Sequence, residues 1–490
     1  MRFPVPDLRI RTLSDREVRP EGEFVLYWMI GQRRLHWNFA LDRAVSRALE
    51  LGRPLVILEA LRIDYPWASP RHHRFVLDGM DDHRTALASG PARYLAYVEP
   101  ERGAGKGLLE ALAQRAAAVV TDDMPHFFYP AMLQAAADRV PVRFEAVDSH
   151  GLLPIREPDR DFTVAHSFRR YLHKTLPDHL PERPHADPLR AATGLEDAGA
   201  LDLQEVFERW PEAPDDWLER GASLDVLSLD GRVEPVGFPG GRRAALKRLD
   251  RFLDDRLPRF HEDRNNPDHE AASRLSPYLH WGHISSHEIV QALVDREEWT
   301  PNRLAPEPTG KREGWWGMSE PAEAFLDELV TWRELGFVAW ARGGPELETL
   351  EVLPDWARDT LAEHADDERE HLYDLDAFDA AETHDDLWNA AQRELARDGT
   401  IHNYLRMLWG KKILEWTGSP QEALDVMFEL NNRYAVDGRD PNSTSGIMWV
   451  LGRYDRAWQE RPVFGKVRYM TSESTRRKVS VEEYLRRHAE

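Results

Sequence analysis

Cysteine is absent from all 490 residues, which excludes disulfides, thiolate catalysis, Cys-ligated zinc and iron–sulfur clusters. Long apolar runs are missing too. No stretch approaches the roughly 18 apolar residues that span a bilayer, and the start MRFPVPDLRIRTLSDREVRPEG has no apolar signal core. A cytoplasmic protein with no membrane partner is expected. Positive charge is scarce: 64 Lys and Arg face 86 Asp and Glu, a formal net charge of −22. That balance counts against a broad phosphate-binding surface. The acid is concentrated, however, in stretches such as AEHADDEREHLYDLDAFDAAETHDD (362–386). Near the C-terminus Lys466, Arg468, Arg476, Arg477 and Lys478 face Glu473 alone over 465–478, so a local basic surface is compatible with the acidic whole.

Familiar catalytic signatures are equally absent. There is no HExxH and no GxSxG elbow, and the 20 histidines do not cluster at ligand spacing, so no metal site is expected. RGAGKGLLEAL (102–112) lacks the GxxxxGK[ST] spacing of a phosphate-binding loop and does not directly follow a strand. NST at 442–444 has the form of a glycosylation acceptor but follows no secretory signal.

What is present has order. Apolar, β-rich runs at 24–29, 54–61, 92–99, 118–124 and 142–149 alternate with helical patterns near 38–51, 70–88, 107–117 and 127–138. Strands alternating with amphipathic helices predict a Rossmann-like parallel sheet covered on both faces, over 1–150. From 151 to 239 proline and acid dominate, as in LPDHLPERPHADPLR, which predicts a long connector with short helices. From GGRRAALKRLDRFLDDRL onward the pattern is helical, so 240–490 is expected to be an all-α domain. The fold class is therefore α/β plus all-α.

The helical part holds most of the tryptophans. Trp409 and Trp416 bracket WGKKILEW, and seven helical residues place both indoles on one face about 10 Å apart along the axis. Trp388 lies upstream in DLWNAAQREL. Aromatic residues at helical spacing usually serve the core. Four longer stretches are more specific: DRNNPDHEAASRLSPYLHWGHISSHE (263–288), FLDELVTWRELGF (325–337), LWNAAQRELARDGTIHNYLRMLWGKKILEW (387–416) and LNNRYAVDGRDPNSTSGIMWVLGRYDRAWQERPVFGKVRYM (430–470). In the first, a Ser-rich turn at a helix start suits phosphate oxygens. In the second, Glu328 and Trp332 stand at i,i+4 and share a helix face.

These four stretches resemble the photolyase/cryptochrome flavoproteins, and among them the class II cyclobutane pyrimidine dimer photolyases. The resemblance covers most of the chain and is strongest over 383–470, in THDDLWNAAQ, KKILEW, DGRDPN and ERPVFGKVRYM. It implies FAD bound in the helical domain. Ser273, Leu275 and Ser276 would hold its phosphates, and Phe260 would pack near the adenosine. Arg406 and Asp437 would form an ion pair beside the flavin ring, with Asn431 facing its N5. Trp388, Trp409 and Trp416 match the family's electron relay to the flavin.

The implied substrate is damaged DNA with a flipped-out pyrimidine dimer. Trp332 and Trp449 match the walls of the lesion pocket, Met407 its floor, and Glu328 the acid that hydrogen-bonds the pyrimidine. Arg264 would grip the DNA backbone, while Trp458 and Arg468 would enter the gap left by the flipped bases. The implied reaction is light-driven: an electron passes from photoexcited reduced FAD to the dimer, the ring splits, and the electron returns. A monomer is expected, with a deazaflavin-type antenna in the N-terminal domain allowed by the resemblance.

Three segments depart from the class II pattern: GFVAWARGG after WREL, GRYD at 452–455, and WMIGQRRLHWN near the N-terminus. The first two lie by the implied pocket and keep open an altered lesion or single-strand preference. A cryptochrome-like photoreceptor without repair is the reading from another class.

Overall fold

A computed structural model describes residues 4–489 and resolves two compact units. The first takes in the chain up to Glu157 together with Leu176–Lys247 and Leu275–Ala292. The second comprises Pro158–Thr175, Arg248–Arg274 and the chain from Leu293 onward. The proline-rich stretch after 150 thus contributes to both units, chiefly to the first.

The first unit is built on a six-stranded sheet: β1 (Ile10–Ser14), β2 (Phe24–Met29), β3 (Leu55–Leu61), β4 (Ala92–Val98), β5 (Ala116–Asp122) and β6 (Phe144–Val147). Their spatial order is β1-β6-β5-β2-β3-β4. All neighbours are parallel except β1, which runs antiparallel to β6 at the edge. Strands β2 and β5 are buried along their whole length, which is why they read as unbroken apolar runs. Helices α1 (Phe39–Leu51), α2 (Pro70–Leu87), α3 (Leu108–Arg115) and α4 (Tyr129–Ala137) fall between the strands as expected.

β1 was not legible. Its residues sit in a polar leader and are half-exposed, as an edge strand allows. Local chemistry fixes the turn after β2. Asp122, at the end of β5, accepts the backbone N–H groups of Ile30, Gly31 and Gln32 and the hydroxyl of Tyr27. Asn38 then caps α1 by accepting from Ala40 and Leu41.

The second unit is helical. Five helices matter below: α5 (Arg333–Gly343), α6 (Asp386–Asp398), α7 (Asn403–Trp416), α8 (Pro420–Tyr434) and α9 (Pro441–Val450). Side-chain caps start three of them: Asp385 for α6, Ser419 for α8 and Asp440 for α9. Proline stands at the start of α8 and α9, where a missing N–H costs nothing. The apolar faces of α6, α7, α8 and α9 meet in one core that includes Trp388, Leu405, Leu408, Trp409, Ile413, Leu424 and Met427. Two stretches, Phe252–Arg256 and Asp327–Trp332, are π-helical, the wider winding that recurs at functional positions.

Candidate active site

Three groups of implied site residues come together, each within the second unit. The first is polar. Arg406 leaves the early part of α7, Asn431 the end of α8 and Ser443 the start of α9, with Asp437 in the α8–α9 turn. Arg406 donates to Asn431 Oδ1 at 3.1 Å and to Ser443 Oγ at 3.4 Å, and its Nη2 lies 3.7 Å from Asp437 Oδ1. The Asn431 amide donates to Ser443 Oγ at 2.9 Å and Asn432 Oδ1 at 3.0 Å, and Asn432 Oδ1 also receives the Arg439 N–H. Asp437 Oδ1 is buried and accepts no hydrogen bond among the described residues. A buried acceptor left open beside a guanidinium and a neutral amide suits a polar ring that brings its own N–H.

The second group lies on and beside the π-helical turn. Asp327, Leu329, Val330 and Thr331 face inward, whereas Glu328 and Trp332 are half-buried, so the two share the open face. Arg264 lies 3.5 Å from Glu328 and donates to the Ala324 carbonyl at 3.0 Å. Its guanidinium also covers the Phe260 ring at 5.5 Å, and Phe260 packs edge-on against Phe252 and Phe325. Burial pushes the Glu328 carboxyl above its ordinary value, with Arg264 pulling the other way. The side chain still keeps 37% of its surface open, so the carboxyl is accessible to a ligand. Inside the turn, Asp327 is held by Arg169 through two hydrogen bonds of 2.6 and 3.1 Å.

The third group is a ladder of rings and cations. The Arg468 guanidinium lies 4.1 Å from the Trp458 ring centre and 5.4 Å from that of Trp449. Asp455 holds it through Nε at 2.8 Å and also accepts the Trp458 indole N–H at 3.3 Å. Burial would raise the Asp455 carboxyl, but hydrogen bonds led by Arg468 outweigh it and hold the group below its ordinary value. Trp458 is 37% exposed, so a large aromatic stands free at the rim. Met407 on α7 is half-buried.

The three tryptophans for which the resemblance implies a relay are buried in the core. Trp388 donates its indole N–H to the Trp409 carbonyl at 3.0 Å, and Trp409 donates its own to Gln392 Oε1 at 2.9 Å. The ring neighbour of Trp416 in this row is Trp388, with centres 6.0 Å apart and edge to face. The spacing of Trp409 and Trp416 along α7 thus gave the face but not the sequence of contacts. Outward from Trp416 stand His384 at 4.9 Å and Tyr373 at 5.7 Å, and the Tyr373 hydroxyl meets His384 Nδ1 at 2.8 Å.

The Ser-rich turn divides between the units. Ser273 is half-buried in the second; Leu275 is buried and Ser276 exposed in the first, at the start of a five-residue helix. Between them Arg274 adopts a positive φ of 57° and reaches Glu394 at 3.1 Å and Thr400 at 2.9 Å. Glu394 also accepts from the His402 backbone and the Tyr484 hydroxyl. Among the described residues no cluster of His, Asp and Glu is arranged to hold a metal ion.

With this geometry in view, likeness to known proteins has a place to attach. A family model described as DNA photolyase matches residues 25–190. The deoxyribodipyrimidine photo-lyase of Methanothermobacter thermautotrophicus is 35% identical over 480 residues, covering 98% of this chain and 97% of that protein. The chain belongs to the DNA photolyase family. Another family member, the deoxyribodipyrimidine photo-lyase of Potorous tridactylus, is 32% identical and covers 98% of this chain and 84% of its own. Among solved structures, a class III photolyase from Agrobacterium tumefaciens superposes with a TM-score of 0.67 at 20% identity, covering 95% of this chain and 86% of that one. A Synechocystis cryptochrome gives 0.68 at 16%, covering 95% and 88%. These two bear on the fold alone.

Sequence reasoning missed several photolyase-chain residues that the structure brings to these groups: Ser443, Asn432, Asp455, Lys411, Gln392 and the Arg274–Glu394 pair. All of them stood inside the quoted stretches. Nothing local marked Ser443 or Gln392, because their partners come from other helices, whereas Asp455 meets Trp458 and Arg468 within its own non-helical segment.

Proposed function

We propose that this chain repairs cyclobutane pyrimidine dimers in DNA in a light-dependent reaction, as a deoxyribodipyrimidine photo-lyase of the class II type. The observation that carries the reading is the Trp449–Arg468–Trp458 ladder locked by Asp455. It puts an exposed indole and a cation at a rim, which suits insertion into a duplex whose damaged bases have been turned out. It also answers the acidic net charge, since local cations rather than the average meet phosphate.

FAD, when bound, supplies the light-absorbing electron donor. Arg406, Asn431 and Asp437 are the residues that fit its polar ring edge, with Ser273, Leu275 and Ser276 assigned to its phosphates and Phe260 to its adenosine. The Arg406–Asp437 pair balances charge there, and the Asn431 amide offers a donor or an acceptor. Trp332, Trp449 and Met407 provide apolar walls and a soft floor for a flat, flipped base pair. Glu328, its carboxyl raised by burial, is the acid placed to hydrogen-bond the pyrimidine as negative charge develops there. Arg264 keeps Glu328 in place and presents a cation to the backbone phosphate. Trp388, Trp409 and Trp416 carry electrons inward from the surface.

The test is repair itself. Reduced protein is mixed with an oligonucleotide carrying one thymine cyclobutane dimer, and intact thymines are counted in the dark and under blue light. Light-dependent recovery is expected. No recovery, with FAD bound and reduced, would overturn the assignment and favour another lesion or a signalling role.

A further inference from the structure

Among the described residues Lys411 forms no ion pair with a carboxylate, Asp455 acting on it only at longer range. It sits in the middle of α7, is fully buried, and its ammonium donates to the carbonyl of Val450, the last residue of α9. The same ammonium lies 5.0 Å from the centre of the Trp449 ring. Its neighbour Lys412 is paired with Glu415 at 2.7 Å, so the adjacent lysine is an ordinary ion pair and Lys411 is not. Burying an ammonium without an anion is costly, and such a group needs a compensating role.

The surroundings define that role. The C-terminal end of a helix carries partial negative charge, and an ammonium there is stabilised while it fixes the last carbonyl. The face of an indole attracts a cation in the same way. Gly410 brings the two helices into contact at this level: a Cβ there would stand 2.6 Å from Val450 Cγ2. Trp449 thus has two cations near its ring, Lys411 at 5.0 Å and Arg468 at 5.4 Å, with Asp455 hydrogen-bonded only to the second.

We propose that Lys411 is a positioning residue for the lesion pocket, its buried ammonium holding the end of α9 and the Trp449 wall in the orientation that receives a flipped dimer. The inference rests on the reading of Trp449 as a pocket wall. The charged groups that face Lys411 are Asp455 and Arg468, the first favouring and the second opposing its charge. Burial dominates and brings the lysine down to about 7. Asp455 is held below its ordinary value and stays ionised around neutrality, so of the groups facing one another here Lys411 is the one that titrates near 7.

The experiment uses the full-length, FAD-loaded protein and measures its affinity for a dimer-containing oligonucleotide and for the same undamaged sequence. Lys411→Met, which keeps length and removes charge, is expected to weaken dimer binding about tenfold and leave undamaged binding within about twofold. Trp449→Phe combined with Lys411→Met is expected to cost less than the sum of the two, because the cation acts through the indole. In the wild type, the ratio of the two affinities is expected to fall as pH rises through about 7, and in Lys411→Met to stay flat.

Equal dimer affinity in wild type and Lys411→Met, with Trp449→Ala weakened, would overturn the inference alone. Unchanged affinity in Trp449→Ala would overturn the pocket reading and the inference with it. Should Lys411→Met fail to fold, the wild-type titration decides: a flat ratio overturns the proposal.

Discussion

At the scale of single residues, the core tryptophans differ in what accepts their protons. Trp388 donates to a backbone carbonyl and Trp409 to a neutral amide, neither of which takes up a proton, so in the proposed relay a vacancy on either ring would move on as an electron step. Trp388→Phe and Trp409→Phe are each expected to block light-driven reduction of oxidised flavin, followed by absorbance under blue light with an external reductant. Chemically reduced enzyme should repair at near wild-type yield in both. Normal photoreduction in both variants would remove the relay. Glu328 is the other residue with a sharp consequence. Glu328→Gln retains a donor of similar reach and should lower repair yield only a few-fold, whereas Glu328→Ala should lose roughly 10- to 100-fold per photon absorbed. Equal yields in wild type and Glu328→Ala would sink its assignment.

At the scale of elements, most helices and strands were readable because their patterning and caps are local. The π-helical turn Asp327–Trp332 was not. Its sequence reads as an ordinary helix, and the wider winding comes from what packs around it, including the Arg169 clamp on Asp327. The first residue of the GFVAWARGG departure has a packing reason. Gly336 of α5 lies against the first residues of α9, and a Cβ there would stand 2.7 Å from the Pro441 carbonyl oxygen. That obstacle is backbone and cannot rotate away. Gly336→Ala is expected to destabilise the protein by about 1–3 kcal/mol, seen as a lower Tm, and to weaken dimer binding because α9 carries Trp449. An unchanged Tm would mean that the two helices separate freely.

At the scale of the whole molecule, buried titratable groups set an acid limit. Burial lowers His173 and His402 to about 4 and His283 to about 3. The folded state keeps them neutral where the unfolded chain, near 6.5, already binds protons, so stability is full above that value and declines as pH falls below it. At pH 5 each such histidine costs about 2 kcal/mol. Glu59 adds a later limb. Burial would raise it, but His83, Arg33 and Tyr94 together hold it at about 2. Its contribution is therefore complete above about 4.3 and fades as pH falls toward 2. Thermal melts from pH 8 to 4 should show Tm falling slightly from pH 8 to 7, where the folded state holds Lys411 low, and further below about 6.5; a level Tm from pH 6.5 to 4.5 would contradict the buried histidines.

Much of this protein was legible before any coordinates. Alternating apolar runs determined a parallel sheet covered by helices, because side-chain period and burial are written locally. The absence of cysteine removed whole classes of chemistry, and motif order over 263–470 pointed to the family and to Arg406, Asp437, Asn431, Glu328 and the tryptophans. Tertiary structure decided the partners. Trp388 rather than Trp409 meets the Trp416 ring, Ser443 joins Arg406 to Asn431, and Asp455 ties Arg468 to Trp458. Both adjacent lysines of KKILEW are buried, but Lys412 pairs with Glu415 whereas Lys411 meets the end of α9, which Gly410 lets come close. Spacing along a helix gives a direction, and only the packing of one helix on another says what stands there.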